Sequence, residues 1–170
     1  MSSKTQFRIK MALYAAVLIL AELLQTAVFG QLDLGLVPCV MPVAVACIGI
    51  FEGAERGCIF GFAGGCLWAW STALSFYGAW CIVSLPAIGF LAGLITERFL
   101  LRGPKTALSI SAGALVLTDG VYVIARVMSG GIPLGAVITM FVPECLLSLV
   151  LCLLIYPIVA QISRIGGFHG

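Results

Sequence analysis

Six long apolar runs constrain the fold of this chain more than any other feature of its sequence. The short segments before, between and after these runs hold twelve of the sixteen charged residues. The runs cover about 11–30, 34–51, 58–76, 78–95, 106–128 and 136–160. An apolar run of roughly 20 residues is long enough to cross a bilayer as a helix. We predict helices because backbone groups in hydrocarbon must be paired internally, and because the runs lack the alternating pattern of a membrane β-barrel.

Composition excludes a water-soluble globular domain. Only 9% of the 170 residues are charged and 62% are hydrophobic, whereas about 25% of the residues in a soluble domain are charged. No segment is long or polar enough to form a second domain outside the membrane. The sequence therefore predicts an all-α integral membrane protein in which residues 1–170 form one compact bundle of six transmembrane helices.

The positions of the basic residues predict the orientation of this bundle. Six spans place eight of the nine lysines and arginines on one side: Lys4, Arg8, Lys10, Arg56, Arg98, Arg102, Lys105 and Arg164. Arg126, at the end of the fifth run, is the exception. Lysine and arginine are enriched in cytoplasmic loops, so we expect a multi-pass protein with both termini in the cytoplasm.

Ionisable residues inside the predicted spans form a first candidate site. Glu22, Asp119 and Glu144 lie eight or nine residues from the outer ends of their spans, which is about 12–13 Å below the outer interface. Arg126 follows Asp119 by two helical turns and is a candidate counter-ion, although its side chain could equally extend to the outer headgroups. The acids should face the bundle interior, a wet cavity or a partner. One interpretation is that they form a polar binding site for a substrate or a proton relay. The other is that they make interhelical hydrogen bonds that stabilise the bundle.

Glycines at four-residue intervals form a second candidate site. The positions are Gly53, Gly57, Gly61 and Gly65, followed by Gly89 and Gly93 in the fourth run. Small residues at this spacing line one face of an unbroken helix and allow two helix backbones to approach closely. The pattern predicts either packing within this bundle or docking of a membrane helix from another protein.

The sequence shows none of the usual patterns of catalysis or metal binding. We find no nucleophile–base pair, no histidine–acid couple and no glycine-rich phosphate loop. The seven cysteines include no C-x-x-C pair and are interpreted as small apolar residues. We therefore expect a protein that is not an enzyme, with no metal, no cofactor and no nucleic-acid partner.

A basic segment between the fourth and fifth runs is a candidate surface for membrane lipid or a cytoplasmic partner. Residues 97–105 read ERFLLRGPK. Basic residues beside a membrane are attracted to anionic lipid by about 1 kcal/mol each, so lipid attraction alone is sufficient reason for this segment.

Two segments resemble a known family. Residues 61–80, GFAGGCLWAWSTALSFYGAW, and residues 86–99, PAIGFLAGLITERF, are similar to the central region of the rod shape-determining protein MreD family, and the last span from Glu144 to Arg164 is similar as well. The resemblance covers roughly residues 35–165. Ala69 stands where the family often has an acidic residue, so no role of that acid is carried over.

The resemblance implies a non-enzymatic scaffold in the bacterial inner membrane. Such a protein binds the single-span protein MreC and, with it, links the cytoplasmic MreB filament to RodA and a penicillin-binding protein, so that it helps to determine cell shape during peptidoglycan synthesis. An alternative is the substrate-binding S component of an energy-coupling-factor vitamin transporter. Ala12 and Ala16 resemble the A-x-x-x-A pair with which those proteins dock their coupling subunit, and the three acids would then line a ligand pocket.

Overall fold

A computed structural model describes residues 3–29, 38–72, 75–99, 103–128 and 134–165. Over these residues the chain is entirely helical apart from short connections, which confirms the predicted all-α class. The elements are α1 (Ser3–Leu23), a π-helical segment (Leu24–Phe29), α2 (Val40–Glu52), α3 (Ala54–Ser71), α4 (Phe76–Arg98), α5 (Pro104–Met128) and α6 (Leu134–Arg164).

Several helices begin or end away from the predicted span boundaries. Helix α1 starts eight residues before position 11, because its basic first turns are helical although they are not apolar. The second run is helical from Val40, and residues 30–37 lie outside the described part of the chain. The predicted break before the fourth run lies at Ser75, whose hydroxyl accepts the Gly78 amide at 3.2 Å. This cap lets α4 begin at Phe76 rather than at 78.

Helix α2 is the centre of the bundle. It packs against α1, α3, α4, α5 and α6, and every residue from Val40 to Ile50 is buried. A helix that is apolar on all sides is expected to be surrounded by other elements. Its 13 residues give a length of about 20 Å, which is less than the roughly 30 Å of a bilayer core. Neighbouring helices enclose α2 on every side.

Gly53 interrupts the predicted row of glycines at four-residue intervals. Its φ of 89° lies in the left-handed region that favours glycine, and it is the single residue between α2 and α3. The four glycines from Gly53 to Gly65 therefore do not lie on one unbroken helix. Gly57, Gly61 and Gly65 share a face of α3, whereas Gly53 forms the turn before it.

The glycines of α3 face α4 within the same chain. A methyl group at Gly57 would overlap the carbonyl oxygen of Gly89, one at Gly61 that of Leu85, and one at Gly65 that of Cys81. Added side-chain atoms at Gly89 and Gly93 would likewise meet the backbone at Gly57, Gly53 and Ala54. The contacts pair residues in antiparallel order. Of the two predicted roles, this is packing within the bundle, so the glycine face is not open to a partner helix.

Two helices are long and apolar enough to cross a membrane. They are Phe76–Arg98 and the Phe141–Arg164 part of α6, among the residues that the structure describes. Charged residues in the first turns of α1, and Glu55 and Arg56 at the start of α3, make those helices more polar. The predicted six-span topology is thus not established by helix length and composition.

We predict that Gly57→Ala destabilises the protein by about 1–3 kcal/mol, because the added methyl group forces the α3 and α4 backbones apart. Gly113→Ala in α5 is the matched control, since an added Cβ at Gly113 has no atom within 4 Å and alanine favours helix by up to about 1 kcal/mol. Thermal unfolding in detergent measures both. Equal melting temperatures for the two variants would contradict the close packing of α3 on α4.

Candidate functional site

The start of α2 lies inside the bundle, where its backbone amides must find partners. The first amides of a helix have no acceptor within the helix. The Cys39 amide donates to the hydroxyl of Ser148 in α6 at 3.0 Å, and the Val40 amide donates to the side-chain oxygen of Gln25 at 3.1 Å. The Ser148 hydroxyl in turn donates to the carbonyl oxygen of Glu144 at 2.8 Å. Side chains from two other helical segments therefore cap α2.

Asp119 in α5 is the acceptor that joins α4 and α2 at the same level. The Tyr77 hydroxyl donates to one of its carboxylate oxygens, and the Cys39 thiol donates to the same oxygen at 3.3 Å. Asp119 is buried. The Tyr77 ring also packs edge-on against Trp68, with ring centroids 5.4 Å apart. A carboxylate that accepts two hydrogen bonds is much less costly to bury than an isolated one.

The structure links the three predicted acids through shared neighbours. The Cys39 thiol lies near both Asp119 and Glu144, and the Cys81 thiol lies near both Asp119 and Glu22. We call Cys39, Tyr77, Asp119 and Ser148 the outer polar cluster. Arg126 lies in α5, but its side chain is outside the described part of the structure, so its role as a counter-ion stays a prediction.

Among the residues that the structure describes, none donates a hydrogen bond to the carboxylate of Glu22. Both of its side-chain oxygens are buried without one, and the residue is 9% exposed. The hydroxyl of Thr26 donates to the Glu22 carbonyl oxygen at 2.8 Å, which engages the backbone and not the side chain. A buried carboxyl without a partner is costly, so its presence calls for an explanation other than stability.

The sequence did not identify Cys39 or Tyr77 as members of the site. Both belong to residue types that are ordinary in an apolar helix, and their partner Asp119 is 80 and 42 positions away along the chain. Gly49 was also missed. A methyl group there would overlap the Gly89 carbonyl oxygen, and its position four residues before Gly53 continues the predicted spacing.

A second polar cluster lies at the other end of α2. The Glu52 carboxylate accepts from Lys10 at 2.6 Å, from Arg56 at 2.7 Å and from the Tyr14 hydroxyl at 2.8 Å. We call these four residues the inner ion cluster. The Glu52 side chain is only 2% exposed. Burial acts to raise the pKa of Glu52, but the hydrogen bonds from its three partners hold that pKa below its ordinary value of 4.5.

The two clusters differ in what they can do chemically. The inner ion cluster has a positive excess, because one carboxylate faces two cations. The outer polar cluster and its neighbours Glu22 and Glu144 are rich in acceptors and suit a cationic or hydrogen-bond-donating group. Among the residues that the structure describes, no three histidines, cysteines or carboxylates form a group that could hold a metal ion.

Comparison with other proteins does not assign the chain to a family. No family model, curated protein or solved structure matches it.

We predict opposite effects for substitutions at two of the acids. Glu22→Leu should leave stability unchanged or raise it by about 1–2 kcal/mol, because it removes a buried carboxyl that has no hydrogen-bond partner. Asp119→Val should lower stability by about 1–3 kcal/mol, because the Tyr77 hydroxyl and the Cys39 thiol lose their acceptor. Thermal unfolding in detergent compares the two, and a loss of stability in both variants would show that Glu22 has a partner.

The inner ion cluster predicts a pH dependence of stability. Because the pKa of Glu52 is lowered on folding, its contribution is present above pH 4.5 and is lost as the pH falls through the folded-state pKa. At pH 7, Glu52→Gln should destabilise the protein by about 1–3 kcal/mol, less than for a fully buried pair because Arg56 reaches solvent.

Melting temperatures measured from pH 7 to pH 3 check this prediction. The difference between the wild type and Glu52→Gln should shrink below pH 4.5. Glu55→Gln is the control, since Glu55 is exposed and its replacement should change the melting temperature little at any pH. A difference for Glu52→Gln that does not vary with pH would argue against the ionised cluster.

Proposed function

We propose that this chain is a six-span protein of the bacterial inner membrane and a non-enzymatic scaffold of the rod-shape machinery, similar to the MreD family. In this role it binds an MreC-like single-span protein and, through it, the wall-synthesis proteins RodA and a penicillin-binding protein, with the MreB filament as an indirect partner. Both termini lie in the cytoplasm.

Exposed apolar side chains support the membrane location. Helix α6 carries a row of them over 17 residues, at Val142, Leu146, Val150, Leu154 and Ile158, each between 48% and 61% exposed. Large exposed apolar side chains also occur on α1, α3, α4 and α5. A soluble monomer rarely exposes apolar surface on this scale. Lipid around the bundle would cover these faces.

Basic residues at the C-terminal end of α2 support the proposed orientation. The inner ion cluster brings Lys10 and Arg56 to one end. A side chain at Gly53 would overlap the Glu97 carboxylate, so the end of α4 with Arg98 lies beside that same turn. Basic residues thus gather where α2 ends, as the positive-inside rule requires of a cytoplasmic face.

The capped start of α2 is the observation that carries the choice of a scaffold over a substrate carrier. In membrane transporters, the positive end of a broken helix often faces the anionic group of a substrate. Here Ser148 and Gln25 occupy the first amides of α2, and acidic residues surround them. These groups join the π-helical segment, α2, α4, α5 and α6 into one framework, which is what a protein that only presents surfaces to partners requires.

One observation favours the alternative, an S component of a vitamin transporter. Glu22 is buried, and no described residue donates a hydrogen bond to its carboxylate, as expected of a group that binds a ligand. Ala12 and Ala16 are also exposed on α1, where small residues would allow a helix of another protein to approach closely. We place the docking helix of an MreC-like partner on this same exposed face of α1, so the two proposed functions differ in which protein docks there.

Affinity purification of the full chain in mild detergent tests the proposal. We expect an MreC-like single-span protein to copurify, and we expect cells depleted of this chain to lose their rod shape. Copurification with two ATPases and a stoichiometric vitamin, with cell shape unaffected, would overturn the scaffold in favour of the S component.

Substituted chains sharpen this test. Ala16→Leu should reduce recovery of the partner about fivefold, because the added side chain keeps a docking helix away from α1. Ala63→Leu, at an exposed position on α3, is the matched control and should leave recovery unchanged. Asp119→Asn keeps an oxygen acceptor for Tyr77 and Cys39 but removes the charge, so a scaffold should retain its partner in that variant.

A further inference from the structure

A groove lies between the beginnings of α1 and α3, beside the inner ion cluster. It has a volume of about 300 Å³ and combines four apolar side chains with one acid and one base. They are Phe7 and Met11 from α1, and Glu55, Arg56, Ile59 and Phe60 from α3. Neither the scaffold role nor the outer polar cluster makes use of this groove.

We propose that the groove binds an anionic glycerophospholipid, with the headgroup phosphate at Arg56 and the upper part of an acyl chain along the apolar wall. This rests on the membrane location and orientation proposed above, which put the groove at the cytoplasmic leaflet, and not on the identity of any protein partner.

Arg56 is positioned in advance to receive a phosphate. One of its terminal nitrogens donates to Glu52 at 2.7 Å, and the guanidinium lies over the Phe7 ring, 5.2 Å from its centroid. The side chain is nevertheless 45% exposed. A guanidinium has five N–H donors in a planar arrangement that suits phosphate oxygens. Two contacts therefore fix its position, while a large part of the group stays accessible from the groove.

The charge around the groove favours an anion. Lys10 already balances Glu52 at 2.6 Å, so Arg56 is not fully neutralised by that carboxylate. Glu55 lines the groove and opposes an anion. Lys4 and Arg8 are exposed in the first turns of α1, next to Phe7. Together these four basic and two acidic residues leave a positive excess at the end of the bundle where anionic lipid concentrates.

The apolar wall fits an acyl chain. Ile59 is 61% exposed and Phe7 is 48% exposed. Phe60 closes the inner side, where its ring packs edge-on against the buried Tyr14 with centroids 5.5 Å apart. One turn further along α3, Phe62 is also exposed, so the apolar path continues from the groove toward the bilayer centre. A soluble anion has no apolar part to contact this wall, whereas an acyl chain contacts it along its length.

Native mass spectrometry of the full chain, released from nanodiscs that contain equal amounts of phosphatidylglycerol and phosphatidylcholine, tests the proposal. We expect phosphatidylglycerol to be retained about fivefold more than phosphatidylcholine, a ratio that corresponds to ~1 kcal/mol. Arg56→Gln should abolish this preference. Arg98→Gln removes an exposed cation at the end of α4 and should preserve it, which separates the groove from general attraction to basic residues.

A second variant keeps the test decisive if Arg56→Gln proves unstable. Ile59→Trp leaves the inner ion cluster intact and fills the groove, and it should also reduce retention of phosphatidylglycerol severalfold. Equal retention of the two lipids, an equal effect of Arg98→Gln, or displacement of the lipid by soluble glycerol phosphate would overturn the proposal. The proposal would also be overturned if Ile59→Trp lost a copurifying protein but kept its phosphatidylglycerol. Partner recovery is measured separately, so failure of the scaffold role is distinguishable from failure of the lipid site.

Discussion

The structure depends on the burial of α2 on every side. A helix that starts inside a bundle must have its first amides paired with groups that other elements supply. Here Gln25 and Ser148 accept those bonds, while Asp119 accepts the thiol of the residue that precedes the helix. Gln25, Asp119 and Ser148 are polar residues buried in this apolar chain, and each binds a group at the start of α2. The positions of the π-helical segment, α5 and α6 beside that point meet the same requirement.

Apolar run length predicted the number and approximate positions of the α-helices, because in such a composition only helix satisfies the backbone. It did not predict that α1 begins at Ser3, since the basic first turns are helical without being apolar. It also did not predict the break at Gly53, because regular glycine spacing reads the same in one helix or in two. Only the backbone φ separates those arrangements.

The candidate site was predictable in part. The cost of an ionisable group in hydrocarbon identified Glu22, Asp119 and Glu144 from type and position alone. Their environments could not be predicted in the same way. Asp119 accepts two hydrogen bonds and Glu22 accepts none with its carboxylate, although both are single acids at a similar predicted depth. The difference arises from Cys39 and Tyr77, which come near Asp119 only when three helices assemble.

The one-residue connection at Gly53 joins α2, which begins at the outer polar cluster, to α3, which lines the groove. Glu52 ends α2 and Arg56 lies in the first turn of α3, so the inner ion cluster and the lipid groove are fixed to the same rigid segment that carries Cys39 about 20 Å away. A rotation of α2 about its own axis would therefore move the groove, the glycine interface and the hydrogen bonds of Asp119 at the same time. The groove and the hydrogen bonds of Asp119 are thus linked through a single short helix, with only Gly53 between α2 and α3.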